Sequence, residues 1–501
     1  MLQNLLGEQA LSASFIPIYS RMLARGDEEG ARRFAGAVFG LLALVAGGLA
    51  LLGVLAARPL VALFAAGYLR YAAGVAAGEL GVDRFELAVE AVRWIFPMTG
   101  LLVLSAWALG VLNSHRKFFL PYVAPVAWNA AIVAAIVYAA GTADSVAGSG
   151  AGAGRRLVIA ACLGALAGGF LQLVVQLPSA LRALGGLRPS LSLGVPGVRE
   201  ALSAFGPAVA GRGVVQLSSY LDQLLASLLA VGAVSALGYA QMLYLLPVSL
   251  FGQAVAAAAL PELARSLPGG DRNALAAGTR AALTRTAFLV LPSTVAYLAF
   301  APIAVGGLYR IVSGRFGAAE VALVAAVLVG YAAGLPASTS SRVLQSTFFA
   351  LGDTRTPARI AALRVAAGTA AALPLMWLLD ERTIADLPFY EGGGDLRLGA
   401  LGLAFGATLG AWLERGLLGR ALALRIVGFA PSGKWIAGRA LLALASVIPA
   451  SVVGWSLRDL HPTLVATCVF GSMAAVYLGT ALALRLPESE MLVPRRRRRQ
   501  P

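Results

Sequence analysis

The sequence predicts an all-α, polytopic membrane fold of about thirteen spanning segments, set out as two related lobes and two further helices. Three observations carry this expectation. The 501 residues are 59% apolar and only 13% charged. Soluble domains hold ~25% charged residues, so this chain has about half the charge needed to solvate a surface in water. Apolar runs long enough to cross a bilayer recur along its length, and pieces of sequence repeat at a nearly constant offset. A soluble multidomain enzyme is excluded by composition. The charge balance of 40 basic against 24 acidic residues could suggest nucleic acid, but basic and aromatic residues form no compact patch, so no nucleic-acid partner is expected. Cys162 and Cys468 lie in apolar runs and imply no disulfide framework.

A spanning helix needs about 20 apolar residues, because no water in the hydrocarbon can satisfy an open backbone. The first segment, 1–22, begins as helix with no loop or charged flank. The reading therefore expects one whole helix and part of the next to precede Met1. Uncharged runs follow at 36–57, 94–115, 118–143 and 157–181. The region 199–230 is apolar apart from Arg212 and Asp222. The charge-free stretch 223–261 is too long for one helix, so it holds the end of one span, a turn near Gly232 and a second span. Runs at 286–309 and 321–341 come next. Those at 365–379, 398–413 and 440–457 reach spanning length if flanking arginines snorkel. The last run is 460–484.

Orientation follows from the loops in which Lys and Arg collect. Alternate loops gather Arg21, Arg25, Arg32 and Arg33; Arg116 and Lys117; Arg182, Arg188 and Arg199; Arg265, Arg272, Arg280 and Arg285; Arg355 and Arg359; Arg415, Arg420, Arg425, Lys434 and Arg439; and finally Arg485 with Arg495–Arg499. This side is expected to be cytoplasmic, with the C-terminus on it. The run Arg495–Arg499 reads as an anionic-lipid anchor.

EQALSASFIPIYSR at Glu8–Arg21 matches GQAVAAAALPELAR at Gly252–Arg265 in five positions. Gly164-Ala-Leu-Ala-Gly168 matches Gly406-Ala-Thr-Leu-Gly410, and the turn at Arg116 is set against the turn at Arg355. Three matches in order, all offset by about 240 residues, indicate duplication. The expected division is a lobe over 1–195 that lacks its first helix, a lobe over 196–430, and two extra helices with a basic tail over 431–501. A repeat of an even number of helices gives both lobes one orientation, with substrate expected between them near the midplane. The glycine pairs, with Gly402–Gly406 as a third, are G-xxx-G spacings suited to close helix packing.

Charges inside a bilayer cost several kcal/mol unless they face protein or water, so each one is a functional candidate. Glu8 lies in the first segment. Arg212 and Asp222 are close to three turns apart on one helix, and Gln216 shares the Arg212 face. Gln241 follows on the next helix. Arg342, near a helix end with Gln345, fits either snorkelling or cavity lining, whereas Arg93 and Arg364 read as snorkelling side chains. His115 and His461 read as incidental. There is no Walker loop, dinucleotide fingerprint, HExxH or paired-cysteine ligand set. The chain therefore reads as a transporter rather than an enzyme, with no cofactor.

Four stretches resemble MurJ/MviN lipid II flippases. They are NLLGEQALSASFIPIYSRML (Asn4–Leu23), FPMTGLLVLSAWALGVLNS (Phe96–Ser114), GGFLQLVVQLP (Gly168–Pro178) and, most specifically, TFFALGDTRTPARI (Thr347–Ile360). The resemblance covers nearly the whole chain in order. It implies two six-helix lobes plus two helices, fourteen in all, and movement of undecaprenyl-diphosphate-linked peptidoglycan precursor across the bacterial cytoplasmic membrane by alternating access. It also implies a cationic cavity for the diphosphate, an ion gradient or the membrane potential as energy source, and cell-wall synthesis proteins as partners. Two departures stand out. Gly7 follows Asn4-Leu5-Leu6 where many members carry arginine, and Tyr239-Ala240-Gln241-Met242 ends in Met242 where a cation is expected. Arg212 is expected to supply the replacement charge. The alternatives are a related MOP-type transporter of another polyprenyl-linked glycan or a drug, and an inactive scaffold. Drug export would favour an acidic cavity, which Arg212 and Arg342 do not provide.

Overall fold

A computed structural model describes residues 11, 14–69, 83–143, 151–253, 255–256, 259, 272–312, 316–388, 390, 392 and 394–488. Within these, the side chains of 151, 204, 206–219 and 311–312 are not described. The described residues form sixteen α-helices in succession and contain no named strand. An isolated antiparallel bridge joins Thr383 to Arg397.

The order is α1 (Ile16–Ala24), α2 (Glu28–Leu55), α3 (Ala57–Phe64), α4 (Arg84–Ser114), α5 (Phe119–Ala143), α6 (Ala151–Leu184) and α7 (Val198–Ser227). Then come α8 (Ala233–Pro247), which runs into a wider turn over Val248–Gln253, α9 (Arg272–Val312), α10 (Ala318–Ala332), α11 (Leu335–Ala350) and α12 (Arg355–Asp380). The last four are α13 (Gly399–Ala423), α14 (Gly433–Ala445), α15 (Val447–Ser456) and α16 (Pro462–Ala483). Among the described residues each of the thirteen expected segments meets helix in the expected order, with most of segment 1–22 lying outside them. Among the described residues nine helices are long and apolar enough to span a membrane, and the pair α10 and α11, bent by 42° at their break, makes a tenth when it is counted as one span. The chain is a multi-pass membrane protein.

Helix starts follow their capping residues. Asp27 accepts from the Gly30 N–H at 2.8 Å, Asp83 from those of Phe85 and Glu86, and Ser432 from that of Trp435. The ends of α4 and α11 share one closure. Lys117 N–H donates to Leu112 O and Arg116 N–H to Asn113 O, while Asp353 N–H donates to Phe348 O and Gly352 N–H to Phe349 O. Both are Schellman turns with a left-handed residue, Arg116 at φ 58° and Gly352 at φ 74°. The turn equivalent to Arg116 therefore centres on Gly352, three residues before the Arg355 that the sequence comparison aligned with it.

The chain divides into two compact units, Met1–Leu224 and Leu225–Pro501. In the first, α2 and α4 pack around Trp107, whose indole N–H donates to Ala35 O at 3.1 Å. Phe15 stacks between Tyr19 and Phe34, at 5.1 and 5.4 Å. The Tyr19 hydroxyl meets His115 Nε2 at 2.9 Å, so the histidine expected to be incidental has a partner. The segment after α6 lies against the small residues of α2, with Ser190 N–H donating to Gly36 O. A side chain at Gly36 would lie 2.2 Å from the Arg188 carbonyl oxygen. α5 packs on α6 and exposes Phe119, Tyr122, Val126, Val133, Val137 and Tyr138. Such a face suits acyl chains and not water.

The second unit is built on α8, α10, α12 and α13 around Leu237, Ala325, Leu328, Met376 and Leu403. α9 bends at Phe300, two residues before Pro302. α16 fastens to it through Thr463 Oγ1 to Gly307 O and the Tyr477 hydroxyl to Phe288 O, both 2.8 Å.

Several helices start before the expected runs, α4 at Arg84 and α12 at Arg355 among them, and two further differences bear on charged residues. The run expected at 286–309 begins at Arg272, so Arg272, Arg280 and Arg285 lie on helix and not in a loop. The alanine-rich stretch favours helix, and cations at a helix end can extend toward the interface. The span expected at 321–341 runs on to Ala350 after its break, which carries Arg342 well inside the second half.

Candidate functional site in the C-terminal unit

The broken span organises the most polar buried region among the described residues. α10 ends at Ala332, and α11 restarts after Gly334 with Pro336 in its first turn. A broken helix in hydrocarbon leaves carbonyls that need donors. Two of them are met from α13, by Thr408 Oγ1 to Gly330 O at 2.7 Å and Trp412 Nε1 to Ala333 O at 3.0 Å. α11 itself reads LPASTSSRVLQSTFFA. Ser338, Ser341 or Arg342, and Gln345 recur every three or four residues and form one polar stripe.

Facing partners complete that stripe. The Tyr244 hydroxyl of α8 donates to Ser338 Oγ at 2.7 Å. Gln345 Nε2 donates to Glu414 Oε1 of α13 at 2.8 Å, and Arg364 of α12 donates to Glu414 Oε2 at 3.0 Å. Glu414 is 1% exposed and the Arg364 side chain 36%. Gln241 Nε2 donates to the Tyr331 hydroxyl at 2.9 Å, and the Tyr331 ring lies 5.2 Å from that of Tyr244. Arg342 is half-buried, within electrostatic reach of Tyr244, Arg364 and Glu414. Its Nε is buried and has no partner among the described residues.

Glu414 is paired with Arg364 alone while Arg342 lies within electrostatic reach of both, so the cluster is net positive. Arg342 lies about 12 Å along the helix from Ala350, at 1.5 Å per residue. A guanidinium at that depth with its Nε unpartnered suits an acceptor that brings its own negative charge. Phosphate oxygens fit the planar fork and can be held by two parallel bonds.

The sequence-predicted residues fare differently. Arg342 and Gln241 come together in this cluster, joined through Tyr331 and Tyr244. Asp222 is half-buried on α7 and is engaged in an interaction. Arg212 and Gln216 lie on α7, but their side chains are outside the described residues, and so is Glu8 altogether. Met242 is exposed at the surface of its unit. Arg364, expected to snorkel, is instead held by Glu414, because a buried carboxylate three helical turns inside α13 offers it a stronger partner than the interface.

Glu414 is the residue that sequence reasoning missed. Its neighbour Arg415 made the pair look like a helix end. The available signal was spacing, since Gly402, Gly406, Gly410 and Glu414 step along one face four at a time. That face is the seam with α12. A side chain at Gly406 would sit 2.4 Å from Ala372 Cβ, and one at Gly410 would sit 3.0 Å from Arg364 O.

The family model for lipid II flippase MurJ matches residues 1–473. The chain belongs to the lipid II flippase MurJ family. A probable lipid II flippase MurJ of Rhizobium meliloti (strain 1021) is 32% identical over 394 residues, covering 78% of this chain and 69% of that protein. One from Vibrio cholerae serotype O1 is 26% identical over 495 residues, covering 96% and 87%. Among solved structures, the lipid II flippase MurJ in an inward closed conformation shares the fold with a TM-score of 0.69 at 18% identity, over 96% of this chain and 90% of that one. A multidrug resistance MATE family transporter of the MOP superfamily, inward-facing, gives 0.59 at 14% identity over 89% of each chain. The family is one of membrane transporters and not of enzymes.

Proposed function

We propose that this protein moves undecaprenyl-diphosphate-linked peptidoglycan precursor from the cytoplasmic to the outer leaflet by alternating access, and that Arg342 binds the diphosphate. Family membership supports the substrate class. The single observation that supports the site is the half-buried Arg342 guanidinium, its Nε unpartnered inside a membrane helix beside a second arginine. In hydrocarbon such a group is costly unless a ligand or water completes it. The net positive cluster favours an anionic headgroup over a cationic drug. Gln241, on the same network, would orient the Tyr331 hydroxyl toward the ligand. Arg212, Gln216, Asp222 and Glu8 are proposed to contribute further polar contacts. The membrane potential or an ion gradient would supply the energy, and cell-wall synthesis proteins would act as partners. The membrane is proposed to be the bacterial cytoplasmic one, with the C-terminus in the cytoplasm as the distribution of cations implies.

The test is growth of a bacterium depleted of its own lipid II flippase and carrying this protein at matched membrane levels. Arg342→Ala is expected to abolish rescue, and Arg342→Lys, which keeps the charge but not the fork, to restore part of it. Full rescue by Arg342→Ala would overturn the assignment of that residue. Arg212→Ala is expected to abolish rescue as well.

A further inference from the structure

Glu414 poses a problem that phosphate binding at Arg342 does not solve. It is almost wholly buried, and its two oxygens take one bond from Gln345 and one from Arg364. Arg364, its sole ionic partner among the described residues, is also the next guanidinium a phosphate placed at Arg342 would meet. A diphosphate offers several acceptor oxygens, and one arginine with an unpartnered Nε does not satisfy them all. The ligand therefore competes with Glu414 for Arg364. If the ligand wins, Glu414 is left buried with only the Gln345 amide. An ionised carboxylate so placed is unfavourable, and taking up a proton relieves it.

We propose that Glu414 is an exchangeable counter-ion that holds Arg364 while the site is empty and becomes protonated when an anionic phosphate draws Arg364 away. The inference rests on the phosphate-binding reading above. The step balances simply. One proton adds to a Glu414 oxygen, no covalent bond between heavy atoms changes, and Arg364 stays a cation throughout. The groups facing Glu414 suit this exchange. From α11 come Arg342 and the neutral Gln345, from α12 Arg364, and from α8 the Tyr244 hydroxyl engaged with Ser338. On α13 itself, Arg415 turns to the ring of Trp412 at 5.7 Å. Glu414 is the one carboxylate among the charged groups that act on Arg342 and Tyr244. The partly open Arg364 side chain offers the route by which both phosphate and proton arrive. Bound substrate would then carry a compensating proton, so a pH difference across the membrane could bias its movement.

The test uses the full chain in nanodiscs with farnesyl diphosphate as probe, reading affinity from pH 5.5 to 7.5 and proton uptake in weak buffer. Wild type is expected to bind more tightly as pH falls, approaching the tenfold per pH unit that one linked proton allows. Glu414→Gln keeps an acceptor for Gln345 and Arg364 but cannot titrate, so it should take up about one proton fewer per probe bound and lose that pH slope. Arg364→Gln should remove the difference as well, because Glu414 then has no cation for the probe to draw away. Glu414→Asp, which titrates, should retain the uptake and guards against a Gln variant that misfolds. Equal proton uptake by wild type and a folded Glu414→Gln would overturn the exchange while leaving phosphate binding intact. Absence of binding by wild type would overturn the phosphate site and the exchange with it.

Discussion

The helix pairs α5–α6 and α12–α13 are built on one plan and filled with different chemistry. Each closes through glycines four residues apart. A side chain at Gly164 or Gly168 of α6 would come within 2.6 Å of Ala135 Cβ or Trp128 Cδ1 of α5, much as one at Gly406 would meet Ala372. Stepping on along the same register, Gln172 of α6 corresponds to Glu414 of α13. Gln172 and Gln176 each donate to Ser105 Oγ of α4, at 3.1 and 2.8 Å. Glu414 instead receives Gln345 of α11 and Arg364 of α12. The first unit thus keeps a neutral amide–hydroxyl cluster at the position where the second places charge. The two seams share their packing, and the charged residues set the second apart from the first.

The sharpest way to break this comparison is to truncate the two equivalent residues. Glu414→Ala strands Arg364 and is expected to lower stability by about 3 kcal/mol, near the low end for a broken buried pair because Arg364 is partly open. Gln172→Ala removes one neutral bond and should cost only about 1 kcal/mol. Thermal unfolding in detergent reads both, and equal losses would mean that the charge adds nothing to the shared frame. Next in size, Gly406→Val and Gly168→Val should each destabilise by about 2 kcal/mol through overpacking. A tolerated Gly168→Val would show that only the second seam is tight. Thr408→Val, which leaves the Gly330 carbonyl without its donor, is expected to cost about 1 kcal/mol and to loosen the α10–α11 break. Hydrogen exchange at the start of α11 would register it.

The smallest effect concerns the matching turns. Hydrogen bonds from the Thr356 N–H and hydroxyl, with Arg425 beside them, hold the Asp353 carboxyl well below the ordinary range. A lowered carboxylate contributes its stability above the unfolded value of about 3.9 and loses it as pH falls through the folded value. The thermal advantage of wild type over Asp353→Asn should therefore shrink below about pH 4. The equivalent turn at Arg116 has no such carboxylate cap and should show no matching dependence.

The span order was legible because hydrocarbon forces long uncharged runs, and the described residues of these runs are mostly helix. The glycine seams were legible because small residues four apart leave a fixed signature. The Glu414 pairing was not, since its partners lie on two other helices and local sequence pairs it with Arg415. The break at Gly334 was equally hidden, because Leu335-Pro336 lies in an apolar run that reads as continuous. Arg342 was visible as a charge, but its depth depended on where that broken span ended. The turn equivalence shifted for a related reason, as alignment by the arginine label missed the left-handed residue that sets the backbone.

Whether a lipid-linked diphosphate crosses the membrane through the Arg342 cluster can be read from leaflet distribution. In flippase-depleted cells expressing this protein, an externally added enzyme that cuts only outer-leaflet precursor should cleave it to the extent seen in undepleted cells. With Arg342→Ala at the same membrane level, the precursor should accumulate uncut. Equal cleavage in the two strains would contradict a phosphate role for that guanidinium.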